Sequence, residues 1–235
     1  MSEKWRESYN SQWEIYDTFS KREDYFDAAW RKLTELVDFH GKTVFEMGCG
    51  TGKYTHKLAS LVQHLFANDI SSVMIERAKN TCSQHTNITY ICESAHNSGL
   101  PDESVDIIFS AWGYVAKDDT LVTAVEKEFQ RILKPGGSVW LLDNYYEGEF
   151  TELRGKKLEP NSCKYAEAKF GYQLIDVIPA MFAFKSVDEA ADICGFLFGE
   201  KVGRFIKDNN ITNIKDNIAL LYKSYYRKDV EDVLQ

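Results

Sequence analysis

The residues whose spacing carries the most chemistry are Glu46-Met47-Gly48-Cys49-Gly50-Thr51-Gly52. An acid is followed by glycines at alternate positions, a GxGxG pattern. Glycine lets a backbone turn tightly and come close to a ligand. Two phosphate-binding loops use related patterns, and neither fits. The dinucleotide fingerprint GxGxxG needs a glycine where Lys53 stands, and the GxxxxGK[ST] loop needs glycine and a hydroxyl where Met47 and Tyr54 stand. Glu46 would repel a polyphosphate and favours a ligand with a cationic amino group. Asp69 supplies the second half, because an acid at the end of a second strand accepts the two hydroxyls of a ribose. The two acids together call for a nucleoside with a cation in place of a pyrophosphate. S-adenosylmethionine, with its adenosine, ammonium and sulfonium, has that make-up.

The elements that must hold these residues follow from apolar periodicity. The segment 43–47 reads as a strand, and a helix over about 53–62 follows the glycines. Segments 65–68, 88–92, 105–110 and 138–142 read as further strands. Helices are expected over 73–81, capped by Ser71 or Ser72, and over 119–133. Upstream, Ser20 and Glu23 form a capping-box pattern, and the spacing predicts one amphipathic helix over 21–40 ended by Gly41. Downstream, 144–165 reads as a polar connection and 172–184 as a strand kinked at Pro179. Ser186 and Glu189 open another helix, and 218–226 reads as a last, antiparallel strand. Alternating strands and helices with near-continuous apolar strands predict an α/β fold: a Rossmann-like, doubly wound, mostly parallel sheet with helices on both faces. No domain boundary is visible, so residues 1–235 are expected to form one domain. Its parts are a helical arm or lid over 1–40, a cofactor-binding core over 41–143, and an acceptor-side completion of the sheet over 144–235.

The sequence resembles the class I S-adenosylmethionine-dependent methyltransferases. Val44-Phe45-Glu46-Met47-Gly48-Cys49-Gly50-Thr51-Gly52 is similar to their first motif, and Asn68-Asp69-Ile70-Ser71 with Met74 to their ribose-binding segment. Leu100-Pro101-Asp102-Glu103-Ser104-Val105-Asp106 resembles the run before the fourth strand, and Leu133-Lys134-Pro135-Gly136-Gly137 the turn before the fifth. The resemblance covers residues 40–143. It implies that Glu46 and the backbone of Gly48, Cys49, Gly50, Thr51 and Gly52 face the methionine end of the cofactor. It places Asp69 on the ribose, and Ile70 and Met74 on the adenine. Ser94 and Ala95 stand where the family often has Asp-Ala, so either the Ser94 hydroxyl or the Ala95 backbone would meet the adenine edge. Ser110, Ala111 and Trp112 would line the sulfonium and methyl side.

Methyl transfer from a sulfonium is a displacement with a good leaving group, so alignment supplies much of the rate. A base is needed only if the nucleophile must lose a proton, and no catalytic triad is legible. Candidate acceptor walls are the arm aromatics Tyr9, Trp13, Tyr16 and Phe19, then Trp112 and Tyr114, then Asp143, Asn144, Tyr145 and Tyr146. Aromatic faces attract a cationic acceptor or the sulfonium itself.

Composition bounds the partners. The 235 residues carry 28 Lys and Arg against 36 Asp and Glu, a net charge of -8. That balance disfavours a nucleic-acid substrate, which calls for basic excess. With 44% hydrophobic residues there is ample material for a core, yet no apolar run approaches the roughly 20 residues that span a bilayer. The N-terminus has no secretory h-region. The five cysteines are widely spaced without a CxxC pair, and the five histidines lack metal-ligand spacing. No metal site is read, and the thiols suit a reducing cytoplasm. The expectation is a cytoplasmic methyltransferase with a small-molecule acceptor. The competing reading is a non-catalytic module that binds S-adenosylmethionine or S-adenosylhomocysteine, or a partner subunit. A nicotinamide-dependent oxidoreductase is a weaker third, opposed by Lys53.

Overall fold

The computed structural model describes residues 11–114, 119–155 and 162–225. Its elements in chain order are α1 (Trp13–Arg22), α2 (Ala28–Leu36), β1 (Thr43–Met47), α3 (Lys53–Ala59), β2 (His64–Asn68), α4 (Ser72–Thr81), β3 (Ile88–Ile91), β4 (Val105–Ala111), α5 (Asp119–Ile132), β5 (Leu133–Asn144), α6 (Glu149–Leu153), α7 (Ser162–Phe170), β6 (Gln173–Ala183), α8 (Val187–Phe198), α9 (Glu200–Asp208) and β7 (Asn213–Ser224). Tyr9, among the arm aromatics named above, lies outside the described residues.

The strands form one sheet in the order β3-β2-β1-β4-β5-β7-β6. β1 through β5 pair in parallel, with Met47 opposite Asn68 on one side and Ser110 on the other. β7 runs antiparallel to β5: the Gly136 N–H donates to the Tyr225 carbonyl, whereas the Tyr145 N–H donates to that of Asn217. The order reverses between β1 and β4, which is where doubly wound sheets bind ligands at their carboxyl ends.

The chain divides into two compact units. The first, residues 38–143, 162–175 and 220–235, holds β1–β5 with α3, α4, α5 and α7. The centre of its sheet, β1, β2 and β4, is largely apolar, with Val44, Phe45, Leu65, Ala67, Ile108 and Phe109 completely buried. The second, residues 1–37, 144–161 and 176–219, holds α1, α2, α6, α8 and α9. Its core is aromatic: Phe19 stacks on Phe182 at 4.9 Å between ring centroids, and Phe150 lies 4.5 Å from Phe182. Arg22 clasps Glu189 with hydrogen bonds of 2.8 and 3.0 Å. α8 and α9 meet at Gly195 and Gly203, where a Cβ on Gly203 would lie 2.7 Å from the Ala191 carbonyl oxygen.

The expected helix over 21–40 is corrected. α1 ends at Arg22, and a new helix starts at Ala28. The signal that wins is Asp24 rather than Ser20. Its carboxylate accepts the Ala28 and Ala29 N–H groups at 2.8 and 3.0 Å, satisfying amides that a helix start leaves without intrahelical partners. The connection at 144–165 is also more ordered than its polarity suggests, since it contains α6 and the start of α7. Ser186 behaves as expected and accepts the Glu189 N–H at 3.1 Å.

Candidate cofactor site

The glycine loop joins β1 to α3. Gly48, Gly50 and Gly52 have φ of 75°, 53° and 94°, a left-handed run that residues with a Cβ rarely adopt. Space adds to this at Gly52, where a Cβ would stand 3.1 Å from the Ala78 Cα and 3.2 Å from the Cys82 Sγ. The loop is held from β2. The Asn68 carbonyl accepts the N–H groups of Gly48 and Cys49 at 2.8 and 2.9 Å. The Asn68 side-chain amide donates to the carbonyls of Ile91 and Glu93. One buried asparagine therefore ties the glycine loop to the segment after β3.

Asp69 follows it. One carboxylate oxygen accepts the Gly50 N–H at 2.9 Å and the other the Ser71 N–H at 2.9 Å. Burial pushes its carboxyl up, against the pull of the Ser71, Gly50 and Ile70 amides. A carboxylate offers about four lone-pair sites, so the amides orient it and leave capacity for a diol. Glu46 is 2% exposed, and its Oε2 has no hydrogen-bond partner among the described residues. Burial pushes its carboxyl up to about 8, the Thr55 hydroxyl opposes this, and the charge of Asp69 adds to it. A buried carboxylate oxygen without a donor is costly, and a cationic ammonium is the donor that would satisfy it. The residues present thus fit a ligand with an ammonium near β1 and a ribose near β2.

Other expected residues fall in different places. Cys49 and Thr51 are buried in the loop, and burial raises the Cys49 thiol far above its ordinary value. Ile70 is 66% exposed beside Asp69, an open apolar face. Met74 is a correction: it is completely buried, so it packs as core and offers no surface to an adenine. Ser110 is another correction, because its buried hydroxyl donates to the Met47 carbonyl at 2.9 Å and joins β4 to β1. Ser94 and Ala95 are half-buried, with the Ser94 Oγ 2.6 Å from the His96 Nδ1. Ala111 is half-buried at the end of β4. Trp112 has φ 54°, and its buried Nε1 has no hydrogen-bond partner among the described residues. Its ring lies 6.1 Å from Tyr54 and 5.8 Å from the Lys53 Nζ.

The acceptor-side set is dispersed. Tyr114 is a correction: it is buried, and its hydroxyl donates to Glu126 at 2.6 Å. Asp143 is buried and accepts the Ser162 hydroxyl at 2.8 Å. Tyr16, Asn144 and Tyr145 are half-buried and belong to the other compact unit. Two residues were missed, Asn68 in its anchoring role and Gly113. A Cβ on Gly113 would lie 2.7 Å from the Ser110 Oγ and 2.8 Å from the Met47 carbonyl oxygen. A glycine two residues beyond an apolar strand is the signal that pointed to such a close approach.

The segment that carries this loop is similar to known proteins. Residues 44–137 match the family model described as a methyltransferase domain. The chain is 32% identical over 141 residues to phosphoethanolamine N-methyltransferase 1 of Triticum aestivum, a match covering 59% of this chain and 28% of that protein. It is 30% identical over 147 residues to malonyl-[acyl-carrier protein] O-methyltransferase of Yersinia pestis, covering 59% of this chain and 53% of that protein. The solved structure of the YcgJ protein of Bacillus subtilis superposes with a TM-score of 0.63 at 17% identity, over 86% of this chain and 99% of that one, which shows the shared fold. The chain spans between 28% and 53% of the length of these two curated relatives. The chain is therefore similar, over residues 44–137, to methyltransferase domains.

Proposed function

We propose that this protein transfers a methyl group from S-adenosylmethionine to a small-molecule acceptor by in-line displacement. The observation that carries this reading is the pairing of Glu46, with its unpartnered buried oxygen, and Asp69, fixed by two loop amides, on either side of the left-handed glycine run. Bound S-adenosylmethionine supplies an activated methyl on a sulfonium. Glu46 accepts the ammonium of the methionine end, and Asp69 accepts the ribose hydroxyls. Ile70 offers the apolar face for the adenine, and Ser94 or the Ala95 backbone its polar edge. Ala111 and Trp112 shield the reacting end from water, which favours displacement by a positioned acceptor over hydrolysis. The whole chain is read as one methyltransferase domain acting in the cytoplasm.

The small-molecule class rests on the net charge of -8, which opposes a polyanionic substrate, and on the relative whose name specifies phosphoethanolamine. Among the described residues no helix is long and apolar enough to cross a membrane. The test is release of S-adenosylhomocysteine from S-adenosylmethionine, assayed against a panel of small amines, carboxylates and phenols. Acceptor-dependent release supports the reading. Tight cofactor binding with no release across the panel favours a non-catalytic module, since fold alone does not confer activity.

A further inference from the structure

We propose that Glu126 is a positioning residue that, through Tyr114, clamps the segment after β4 onto the glycine loop and so shapes the cofactor site. This rests on the cofactor reading above. Glu126 stands on α5 at 7% exposure. Its Oε1 accepts the hydroxyls of Tyr114 and Tyr172 at 2.6 and 2.9 Å. Its Oε2 accepts the Lys223 ammonium and the Tyr225 hydroxyl at 2.7 and 2.5 Å. These donors use the capacity of a carboxylate, which has about four lone-pair sites, and Lys223 balances its charge. Burial, then the charge of Glu126, hold the phenols of Tyr114, Tyr172 and Tyr225 far above their ordinary range, so they remain protonated donors.

Tyr114 differs from the other donors because of what precedes it. Trp112 has a left-handed φ of 54°, and a bulky residue persists there only when its surroundings over-determine it. Gly113 lies on the glycine loop, with the Gly48 Cα 3.4 Å from where its Cβ would be. On one side the Trp112 N–H donates to the Leu142 carbonyl at 2.8 Å, and on the other Tyr114 is fastened to Glu126. Removing the Tyr114 hydroxyl frees one end of the strained segment, and Gly113 can then lift from Gly48. Tyr172 is an internal control. It donates to the same oxygen, but it precedes β6 and is not continuous with the segment.

The experiment compares Tyr114→Phe with Tyr172→Phe in the full chain, with two readouts. Amide hydrogen exchange at Trp112 follows the clamp without any ligand, and titration with S-adenosylhomocysteine follows its consequence. Tyr114→Phe should speed Trp112 exchange and weaken binding by about tenfold, while Tyr172→Phe leaves both within about twofold, for one hydrogen bond lost in each. Equal effects of the two substitutions, or none in Tyr114→Phe, overturn the proposal. Should Tyr114→Phe fail to fold, Glu126→Leu, which leaves the Tyr114 hydroxyl no acceptor on α5, must show the faster Trp112 exchange, and unchanged exchange there also overturns it. A wild-type protein that takes up no S-adenosylhomocysteine contradicts the cofactor reading instead, and the exchange comparison still decides the clamp.

Discussion

Glu46 and Glu126 are both glutamates closed off from solvent, at 2% and 7% exposure, and they are used in opposite ways. Glu126 is surrounded by donors, with three tyrosine hydroxyls and a lysine on its two oxygens. Glu46 has an oxygen with no partner among the described residues and a carboxyl raised to about 8. Burial of a charge is tolerated when every lone pair is met and is costly otherwise. A satisfied buried carboxylate therefore reads as part of the framework, and an unsatisfied one beside a left-handed glycine loop reads as a group that waits for a ligand.

The sharpest way to test the contrast is to remove each acid. Glu126→Ala leaves the buried Tyr114 and Tyr172 and the half-buried Lys223 and Tyr225 without their acceptor, and should cost about 3 kcal/mol of stability, read by denaturant unfolding. Glu46→Gln should do the reverse. It replaces a carboxyl that burial keeps protonated in the ligand-free protein with a neutral group of the same shape, so stability holds, while affinity for S-adenosylhomocysteine falls by about tenfold or more in a calorimetric titration. Loss of stability without loss of affinity in Glu46→Gln would break the comparison.

A change of pH acts on the same contrast more gently. The folded Glu46 carboxyl, at about 8, lies above its ordinary 4.5, so the folded state binds more protons than the unfolded state between these values. Stability of the ligand-free protein is then greatest at the acid end of this window and declines as pH rises through it, and the raised Asp69 carboxyl works in the same direction. A cationic ligand must displace the Glu46 proton, so affinity for S-adenosylhomocysteine should rise from pH 6 to pH 8 by up to about tenfold per unit. Affinity independent of pH would contradict the assignment of Glu46 to the ammonium. The smallest effect is expected at Met74. Met74→Leu conserves volume in a filled core and should cost less than about 1.5 kcal/mol with unchanged cofactor affinity. An affinity loss there would return Met74 to the ligand surface.

Much of the parallel half was legible because its signals are local. The glycines, Asp69 and the Ser71 cap each act within a few residues, and Ser71 does accept the Met74 N–H at 3.4 Å. What stayed hidden depends on distance along the chain. Glu126 gathers residues 12 to 99 positions away, and nothing in α5 marks it as a hub. Met74 and Ser110 carry the residue types of a ligand contact, but only packing reveals that one is core and the other bonds the Met47 carbonyl. The break between α1 and α2 was misread because two capping patterns overlap, and the carboxylate of Asp24 outcompetes Ser20.

The most direct test of the central claim is a calorimetric titration of S-adenosylhomocysteine into the wild-type protein and into Asp69→Ala. A nucleoside site built on Glu46 and Asp69 predicts micromolar binding to the wild type, weakened by about a hundredfold when the ribose-facing carboxylate is removed. No binding to the wild type, or equal binding to both proteins, would contradict it.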